Sequence, residues 1–253
     1  MQLSFPSAAR TAVIAAIFVM VLKPCAAQSS YEFTTGRELA ITLPGLACEG
    51  VSHLINPDVA SLWQKAQTTD RSELWSFDRQ AAFNWNSTAA RTSDILLVVG
   101  IGGAVTMALI DRPTPGMVAP LAIIGETGLL TVGLTDMVKD LAHRARPYAY
   151  NPDVPDEVRM GNDAYVSFWS GHTANTAAIT FACAQLVQQS DASKTAKTIT
   201  WSAAVAWPMA VGLYRVKAGK HFPTDVIAGY IIGAGIGMAV PHLHQTNRRN
   251  SAP

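Results

Sequence analysis

The sequence predicts an all-α protein, a membrane-embedded bundle of about five spanning helices after a cleaved signal peptide, or six if that peptide is retained. Only 15% of the residues are charged, whereas soluble domains average about 25%. Five apolar segments also follow residue 94, each close to the lower limit of roughly 17 to 25 residues for a membrane helix. These segments are residues 95–110, 113–135, 173–189, 198–214 and 226–240.

Residues 1–27 have the pattern of an export signal. Arg10 precedes a short apolar run, residues 11–22, and small residues precede Gln28. The run is shorter than the roughly 20 residues of a span, and small residues at this position suit signal peptidase. Cleavage after Ala27 is therefore predicted, and an uncleaved first anchor is the alternative.

Residues 28–93 carry charges throughout, with Trp63, Trp75 and Trp85 among them. Tryptophans near a membrane favour the headgroup level. This stretch is predicted to be a periplasmic helical cap on a membrane-embedded domain, residues 94–243. Residues 244–253 then form a cytoplasmic tail.

Two features inside the apolar segments predict how the helices pack. Gly229, Gly233 and Gly237 share one stripe of the last segment, and this allows close backbone contact with another membrane helix. Glu126 interrupts the second segment. A carboxylate is costly in lipid, so Glu126 should face the bundle interior. Pairing with a neighbouring helix is its first interpretation, and a part in function is the second.

The stretch from Arg215 to Asp225 places a cation, an imidazole and a carboxylate just before the last apolar segment. With Pro223 in the first helical turn, His221 and Asp225 lie four residues apart on one face. The carboxylate can then hold one imidazole nitrogen and leave the other free to attack or to move a proton. Arg215 offers a planar fork of donors for an oxyanion. Charged residues at the wet end of a membrane helix explain this stretch equally well.

Two further stretches favour an anion site. Lys139 and Arg146 are seven residues apart, hence on one face if both are helical. Ser170, Gly171 and His172 begin an apolar segment, where a serine cap and free backbone N–H groups attract anions. Each stretch alone has an ordinary explanation, as charges beside a membrane helix, a plain cap or a surface histidine. Their occurrence together and in this order favours the anion site.

These stretches resemble the motifs of the type 2 phosphatidic acid phosphatase superfamily, which includes bacterial class A acid phosphatases and vanadium haloperoxidases. The family motifs are K-x6-RP, PSGH and SR-x5-H-x3-D. Trp169 stands where the family has proline, and Tyr214 where it has serine. The matching residues are Lys139, Arg146 and Pro147, then Ser170, Gly171 and His172, then Arg215, His221 and Asp225.

The resemblance implies roles for these residues. His221 would be the nucleophile that forms a phosphohistidine, Asp225 would orient it, and His172 would protonate the leaving oxygen. No metal and no cofactor is implied. The phosphate-binding residues that the resemblance implies are Lys139, Arg146, Ser170, Gly171 and Arg215.

The expected activity is hydrolysis of a lipid phosphate or diphosphate at the periplasmic face of a bacterial inner membrane. The positive-inside rule agrees, because it assigns to the cytoplasm the helix ends that lie opposite to the three motifs. Residues 148–169 are expected to form a loop over the pocket. The basic residues on the cytoplasmic side are Arg112, Lys194, Lys197, Arg248 and Arg249.

Three other functions compete with this one. A pocket for phosphate also holds vanadate, so a vanadate-dependent haloperoxidase is the first alternative. A non-specific periplasmic acid phosphatase is the second, and a non-catalytic membrane protein that binds anionic head groups is the third. A net charge of +1 gives no basic excess for nucleic acid. The sequence does not identify the lipid or the oligomeric state.

The remaining cysteines and histidines suggest no metal site. Cys48 and Cys183 are interpreted as small inert side chains without a disulfide. No cluster of cysteine and histidine has zinc spacing. His242 and His244, near the C-terminus, are expected to lie at the membrane interface and not to act as ligands.

Overall fold

A computed structural model of the protein describes residues 31–110 and 114–245. Within these ranges the backbone is helical apart from connecting segments and an isolated antiparallel bridge between Tyr31 and Gln245. The prediction of an all-α fold is confirmed. The predicted signal peptide, the loop residue Arg112 and the tail residues Arg248 and Arg249 lie outside the described residues.

Seven helices of ten or more residues lie within the described ranges. They are α1 (Thr35–Ser52), α2 (Val59–Thr68), α3 (Ser87–Leu109), α4 (Thr114–Ala142), α5 (Gly171–Gln188), α6 (Lys194–Lys217) and α7 (Pro223–Leu243). Short helical turns connect them, at Arg71–Glu73, Ser76–Arg79, Gln80–Phe83, Pro147–Tyr150, Asp156–Arg159 and Asn162–Tyr165.

Helices α3 to α7 correspond to the five predicted apolar segments, but most of them extend into polar sequence. Helix α3 begins at Ser87 and not at residue 95, because the side chain of Asn86 accepts a hydrogen bond from Ala89 N (2.8 Å) and caps the helix there. Asp94 therefore lies inside α3 and not in front of it.

Helix α5 lies at the centre of the bundle and contacts α3, α4, α6 and α7. Fourteen of its 18 residues are buried, most of them alanine and threonine. The hydroxyls of Thr176 and Thr180 donate to carbonyls one turn earlier, those of His172 and Thr176, so they add no unpaired polar group. Neighbouring helices, not lipid, surround α5, which explains why it is less apolar than α3 or α7.

The glycine stripe of α7 packs against the backbone of α5. A Cβ atom on Gly233 would lie 2.2 Å from Ala174 O, and one on Gly237 would lie 2.3 Å from Ala178 O. Gly229 approaches the carbonyl of Ser170 in the same way. The predicted close contact is confirmed, and it fixes the start of α7 beside the start of α5.

The outer surface of the bundle suits a membrane. Val98, Leu213 and Ile231 point outward with 70%, 63% and 62% of their surface exposed, and such a surface favours lipid over water. Helix α6 is less apolar because it begins and ends with lysine and arginine. Among the described residues, three segments contain helices long and apolar enough to cross a membrane: Ser87–Leu109, Gly116–Tyr150 and Pro223–Leu243.

Helix α1 runs beside α4 along much of its length. A Cβ atom on Gly133 would lie 2.1 Å from Gly45 O, so the two backbones touch near mid-helix. At the end of α1 the hydroxyl of Ser52 donates to the carboxylate of Asp140. At the other end of α1, Tyr31 lies just before the helix and pairs with Gln245, just beyond the end of α7.

This position of α1 departs from the cap predicted for residues 28–93. Charges along the sequence suggested water, but Glu38 faces inward and is 8% exposed. The outward face of α1 is apolar, and it includes Leu39, Leu43 and Leu46. A count of charges does not show which face of a helix carries them.

Residues 59–86, the later part of the stretch predicted to be a cap, lie over one end of the bundle. Asp78 accepts hydrogen bonds from Arg144 Nη2 (2.8 Å) and from Thr224 N (3.1 Å). The side-chain amide of Asn84 donates to Val216 O at 2.9 Å. These contacts tie the covering segment to the ends of α4, α6 and α7.

Glu126 faces the interior as predicted, with 6% of its surface exposed, and it pairs with a neighbouring element through His244. The prediction for His244 is wrong, because α1 covers this residue and leaves it 0% exposed. His242 is exposed, and Cys48 and Cys183 are both free.

Candidate active site

The three sequence motifs meet at the end of the bundle where α4 and α6 finish and where α5 and α7 begin. Pro223 occupies the first turn of α7 as predicted. His221 lies just before that turn, close to Arg146 from the segment after α4. His172 and Arg215 reach one shared carboxylate from α5 and α6.

His221 is 1% exposed, and its Nδ1 lies 2.7 Å from the carbonyl oxygen of Ser167. A carbonyl only accepts, so Nδ1 carries the proton and Nε2 keeps its lone pair. Burial lowers the pKa of His221 well below its ordinary value, and the nearby cations Arg146, Arg215 and Lys139 lower it further. The imidazole is therefore neutral, with an unprotonated Nε2 among three positive charges.

The sequence suggested that Asp225 holds the imidazole of His221 directly. In the structure it does not form that hydrogen bond. Its Oδ2 lies 3.9 Å from His221 Nδ1, and it accepts hydrogen bonds from Ser167 Oγ (2.6 Å) and Phe222 N (2.9 Å). The other oxygen, Oδ1, accepts from Arg144. Asp225 thus holds Ser167, whose carbonyl in turn orients the imidazole.

Lys139 and Arg146 do not share a helical face, contrary to expectation. Helix α4 ends at Ala142, and His143 has a φ of 43°. Arg146 also precedes Pro147, a position that disfavours helical backbone. Arg146 instead reaches the site from the following segment, where its Nη1 lies 3.5 Å from His221 Nε2.

The start of α5 supplies a cap and a space for a cation. The Oγ of Ser170 accepts from Thr173 N (3.4 Å) and lies 3.0 Å from Thr173 Oγ1, so this buried hydroxyl serves the helix itself. A Cβ atom on Gly171 would lie 3.0 Å from Lys139 Nζ. The absence of a side chain at Gly171 therefore leaves room for the Lys139 ammonium.

Arg215 lies in the last turn of α6, and 6% of its surface is exposed. Its Nη1 donates to Ser93 Oγ (3.2 Å) and to Asp94 Oδ1 (3.3 Å). Its Nε is buried and has no acceptor among the described residues. A buried donor without a partner is costly, and an incoming oxyanion would satisfy it.

Comparison with known families agrees with this geometry. The model of the PAP2 superfamily matches residues 120–249, slightly more than half of the chain. The chain belongs to the PAP2 superfamily. The predicted resemblance to type 2 phosphatidic acid phosphatases is thereby confirmed.

A search of solved structures found a similar PAP2 protein. This is the crystal structure of the first transmembrane PAP2 type phosphatidylglycerolphosphate phosphatase from Bacillus subtilis. The two sequences are 20% identical, the alignment covers 91% of this chain and 94% of that chain, and the TM-score is 0.41.

Asp94 is a site residue that the motifs did not reveal. Its Oδ1 lies 2.8 Å from His172 Nε2 and 3.3 Å from Arg215 Nη1, so one oxygen contacts both residues. It precedes the region that the PAP2 model matches, and the sequence placed it just outside an apolar segment. The capping asparagine of α3, eight residues earlier, was the signal that could have found it.

Asp163 is the second residue that the motifs did not reveal, and it lies in the predicted loop, residues 148–169. Its carboxylate accepts from Arg146 Nη2 (2.7 Å), Lys220 Nζ (3.2 Å) and the hydroxyl of Tyr148 (3.2 Å). Partial burial raises the pKa of Asp163, but Arg146 and Lys220 outweigh this effect and bring the pKa to about 2. The loop thus contacts the end of the bundle where the three motifs meet, and it holds Arg146 in place.

The assembled site suits phosphoryl transfer. A phosphoryl group in transfer spreads negative charge over its equatorial oxygens, so its catalysis depends on positioning and on fixed positive charge. Arg146 contacts an unprotonated imidazole nitrogen here, with Arg215 and Lys139 nearby, and a second histidine contacts the carboxylate of Asp94.

Proposed function

We propose that this PAP2 protein is a membrane phosphatase that hydrolyses a lipid phosphate or diphosphate through a phosphohistidine intermediate. The observation that carries the proposal is the geometry of His221, whose Nε2 faces Arg146 while Nδ1 is held by the carbonyl of Ser167. This imidazole lies at the ends of helices with apolar outer surfaces. A charged head group can reach it while the hydrocarbon chains of the lipid stay in the bilayer.

In the first step, His221 Nε2 attacks phosphorus and the bond from phosphorus to the leaving oxygen breaks. The electron pair of that bond goes to the leaving oxygen, which takes a proton from the imidazolium form of His172. Asp225, with its Oδ2 at 3.9 Å from Nδ1, stabilises the positive charge that develops on the ring. The lipid alcohol or monophosphate then departs.

In the second step, water attacks the phosphohistidine. His172, now neutral, takes a proton from that water, and the bond between phosphorus and Nε2 breaks. Inorganic phosphate leaves, and His221 returns to the form with a proton on Nδ1. Each residue thus ends the cycle in its starting state.

The bound phosphate is neutralised by the protein's own cations. Lys139, Arg146 and Arg215 all lie close enough to His221 to lower its pKa. Three fixed charges supply what a magnesium ion supplies in other phosphoryl-transfer enzymes. Turnover therefore proceeds without a metal ion at this site.

The site faces the periplasm of a bacterial inner membrane in this proposal. Lys194 and Lys197 begin α6 at the end opposite to the motifs. The positive-inside rule assigns such a basic end to the cytoplasm.

The experiment that tests the mechanism is trapping of a phosphoenzyme. Purified protein is mixed with labelled lipid phosphate and quenched in alkali, which preserves phosphohistidine. Wild type should retain label, and His221→Ala should retain none. His53→Ala is the matched control, because His53 is largely exposed near the end of α1, and it should be labelled like wild type.

Substrate class is tested with phosphatidylglycerol phosphate, undecaprenyl diphosphate, phosphatidic acid, a lipid A phosphate and a soluble phosphoester. Turnover of at least one lipid above the soluble ester is the expected result. A labelled His221→Ala enzyme, or equal rates on soluble esters, would contradict the proposal.

A further inference from the structure

A second cluster of chemically active side chains lies at the end of the bundle opposite to the candidate active site. Glu38 comes from α1, Glu126 from α4, and His244 follows the end of α7. They are 8%, 6% and 0% exposed. His244 and Asp225 are separated by nearly the whole of α7, about 30 Å at 1.5 Å per residue, so this cluster takes no part in phosphate binding.

The hydrogen bonds of His244 show which ring nitrogen faces the carboxylates. Nδ1 lies 2.8 Å from Val240 O, a carbonyl that only accepts, so Nδ1 carries a proton. In the neutral ring Nε2 then presents a lone pair, 3.1 Å from Glu126 Oε2 and 3.3 Å from Glu38 Oε2. Three electron-rich atoms converge in a buried space, and such an arrangement needs protons or a metal ion between them.

A proton on Nε2 would satisfy only part of this cluster. It would form a hydrogen bond to Glu38 Oε2, the contact that has suitable geometry. Unless a carboxyl group also carries a proton, Glu126 Oε2 and Glu38 Oε1 would remain buried without a hydrogen-bond partner among the described residues. A metal ion bonds to one nitrogen and two carboxylates at once.

The distances also fit a metal. Ligand bonds of about 2.0 to 2.2 Å in a tetrahedral zinc site place the ligand atoms roughly 3.2 to 3.6 Å apart. The two distances from Nε2, 3.1 and 3.3 Å, are close to that range. A metal-bound histidine usually donates its other ring N–H to a carbonyl or carboxylate, as His244 does to Val240.

We propose that Glu38, Glu126 and His244 bind a divalent transition-metal ion, zinc first among the candidates. Two carboxylates and a neutral imidazole compensate the charge of the ion, and this suits a site inside a membrane bundle. The ion joins α1, α4 and the end of α7, so its role is structural. The ring of Phe33, centred 4.9 Å from that of His244, covers the site.

Metal analysis of the purified full-length protein tests this proposal directly. The protein is taken from membranes without chelator, its affinity tag is removed, and it is incubated with zinc and desalted. About one zinc ion per chain is expected. Glu38→Gln and His244→Gln should lower the bound zinc roughly tenfold or more. His242→Gln is the matched control and should retain it, because His242 is exposed two residues away.

Thermal unfolding of wild type keeps the test decisive if a variant fails to fold. Protein stripped with chelator should unfold several degrees lower, and added zinc should restore the unfolding temperature. Wild type that retains no zinc after loading, and whose unfolding temperature is the same with chelator and with zinc, would overturn the proposal. The cluster would then be a protonated ion pair.

Discussion

The two histidines of the candidate active site differ in what holds them. The Nδ1 of His221 is held by a backbone carbonyl, which cannot be removed by changing a side chain. His172 depends on a side chain, because its Nε2 contacts the carboxylate of Asp94. Substitutions around His172 should therefore affect one step of the reaction selectively.

Asp94→Asn tests whether Asp94 positions the acid. Removing the negative charge should weaken His172 as a proton donor, so turnover of an alkyl phosphate should fall by roughly 100-fold, the lower end of general-acid effects. Turnover of nitrophenyl phosphate should fall much less, since its leaving group needs no proton. Both kcat and KM are measured for the two substrates.

Asp191→Asn, an exposed change at the other end of α5, is the control and should behave as wild type. Asp94 has a second conceivable effect, competition with phosphate for Arg215. A lower KM with unchanged kcat in Asp94→Asn would favour that effect and contradict the positioning role.

The pH profile should report the environment of His221. Burial and the cations lower its pKa below the ordinary 6.5, so the neutral, attacking form persists as the pH falls through 6.5. Arg146→Gln removes one of these cations, which should raise the pKa of His221 and move the acid limb of kcat/KM to higher pH. The same substrate is used for both enzymes, so its own ionisation cancels. Profiles that superimpose after scaling would show that Arg146 does not act on His221.

At the scale of the helix, the contact between α5 and α7 gives a stability prediction. Gly233→Ala would place a Cβ atom 2.2 Å from Ala174 O, and the resulting separation of the helices should cost roughly 1 to 3 kcal/mol of unfolding free energy. Gly235→Ala, on the same helix with nothing within 4 Å, should be neutral. Thermal unfolding in detergent measures both, and equal unfolding temperatures would contradict close packing.

The sequence predicted the five apolar helices because a run without charges is a local property. It predicted the glycine stripe for the same reason, since spacing along one helix shows which residues share a face. The ends of the helices were less predictable. Asp94 was placed outside α3 because a charge usually ends an apolar run, yet a capping side chain extends that helix past the aspartate.

Other errors came from contacts between distant parts of the chain. The imidazole of His221 has an aspartate four residues away, but a carbonyl from the preceding loop takes its Nδ1. His244 was expected at an interface, and only the position of α1 shows that it is buried. Sequence spacing identifies which residues are available, and tertiary contacts decide which ones pair.

At the scale of the whole molecule, the first and last described residues lie together at one end of the bundle. Tyr31 pairs with Gln245 at the end opposite to the motifs. A periplasmic active site would place Tyr31 on the cytoplasmic side, whereas a signal peptide cleaved after Ala27 would leave it outside. These two expectations conflict in this arrangement.

Single-cysteine labelling should resolve this conflict. The native cysteines are replaced by serine, and one cysteine is introduced at Thr34, Met160 or Asp191. With the site in the periplasm, Met160→Cys should react with an impermeant reagent in spheroplasts. Thr34→Cys and Asp191→Cys should react only after the inner membrane is opened. Labelling of the Thr34 and Met160 positions from the same side would show that α1 does not cross the membrane.

The backbone contact between α5 and α7 also bears on substrate range. His172 lies on α5 and His221 lies just before α7, so the touching backbones of these helices fix the distance between the acid and the nucleophile of the proposed mechanism. That distance has to suit only the in-line arrangement of attacking nitrogen, phosphorus and leaving oxygen, which is common to all phosphate esters. Lipids differ beyond this bond, so discrimination among them falls to the parts of the site outside the locked pair, α3 and residues 148–169.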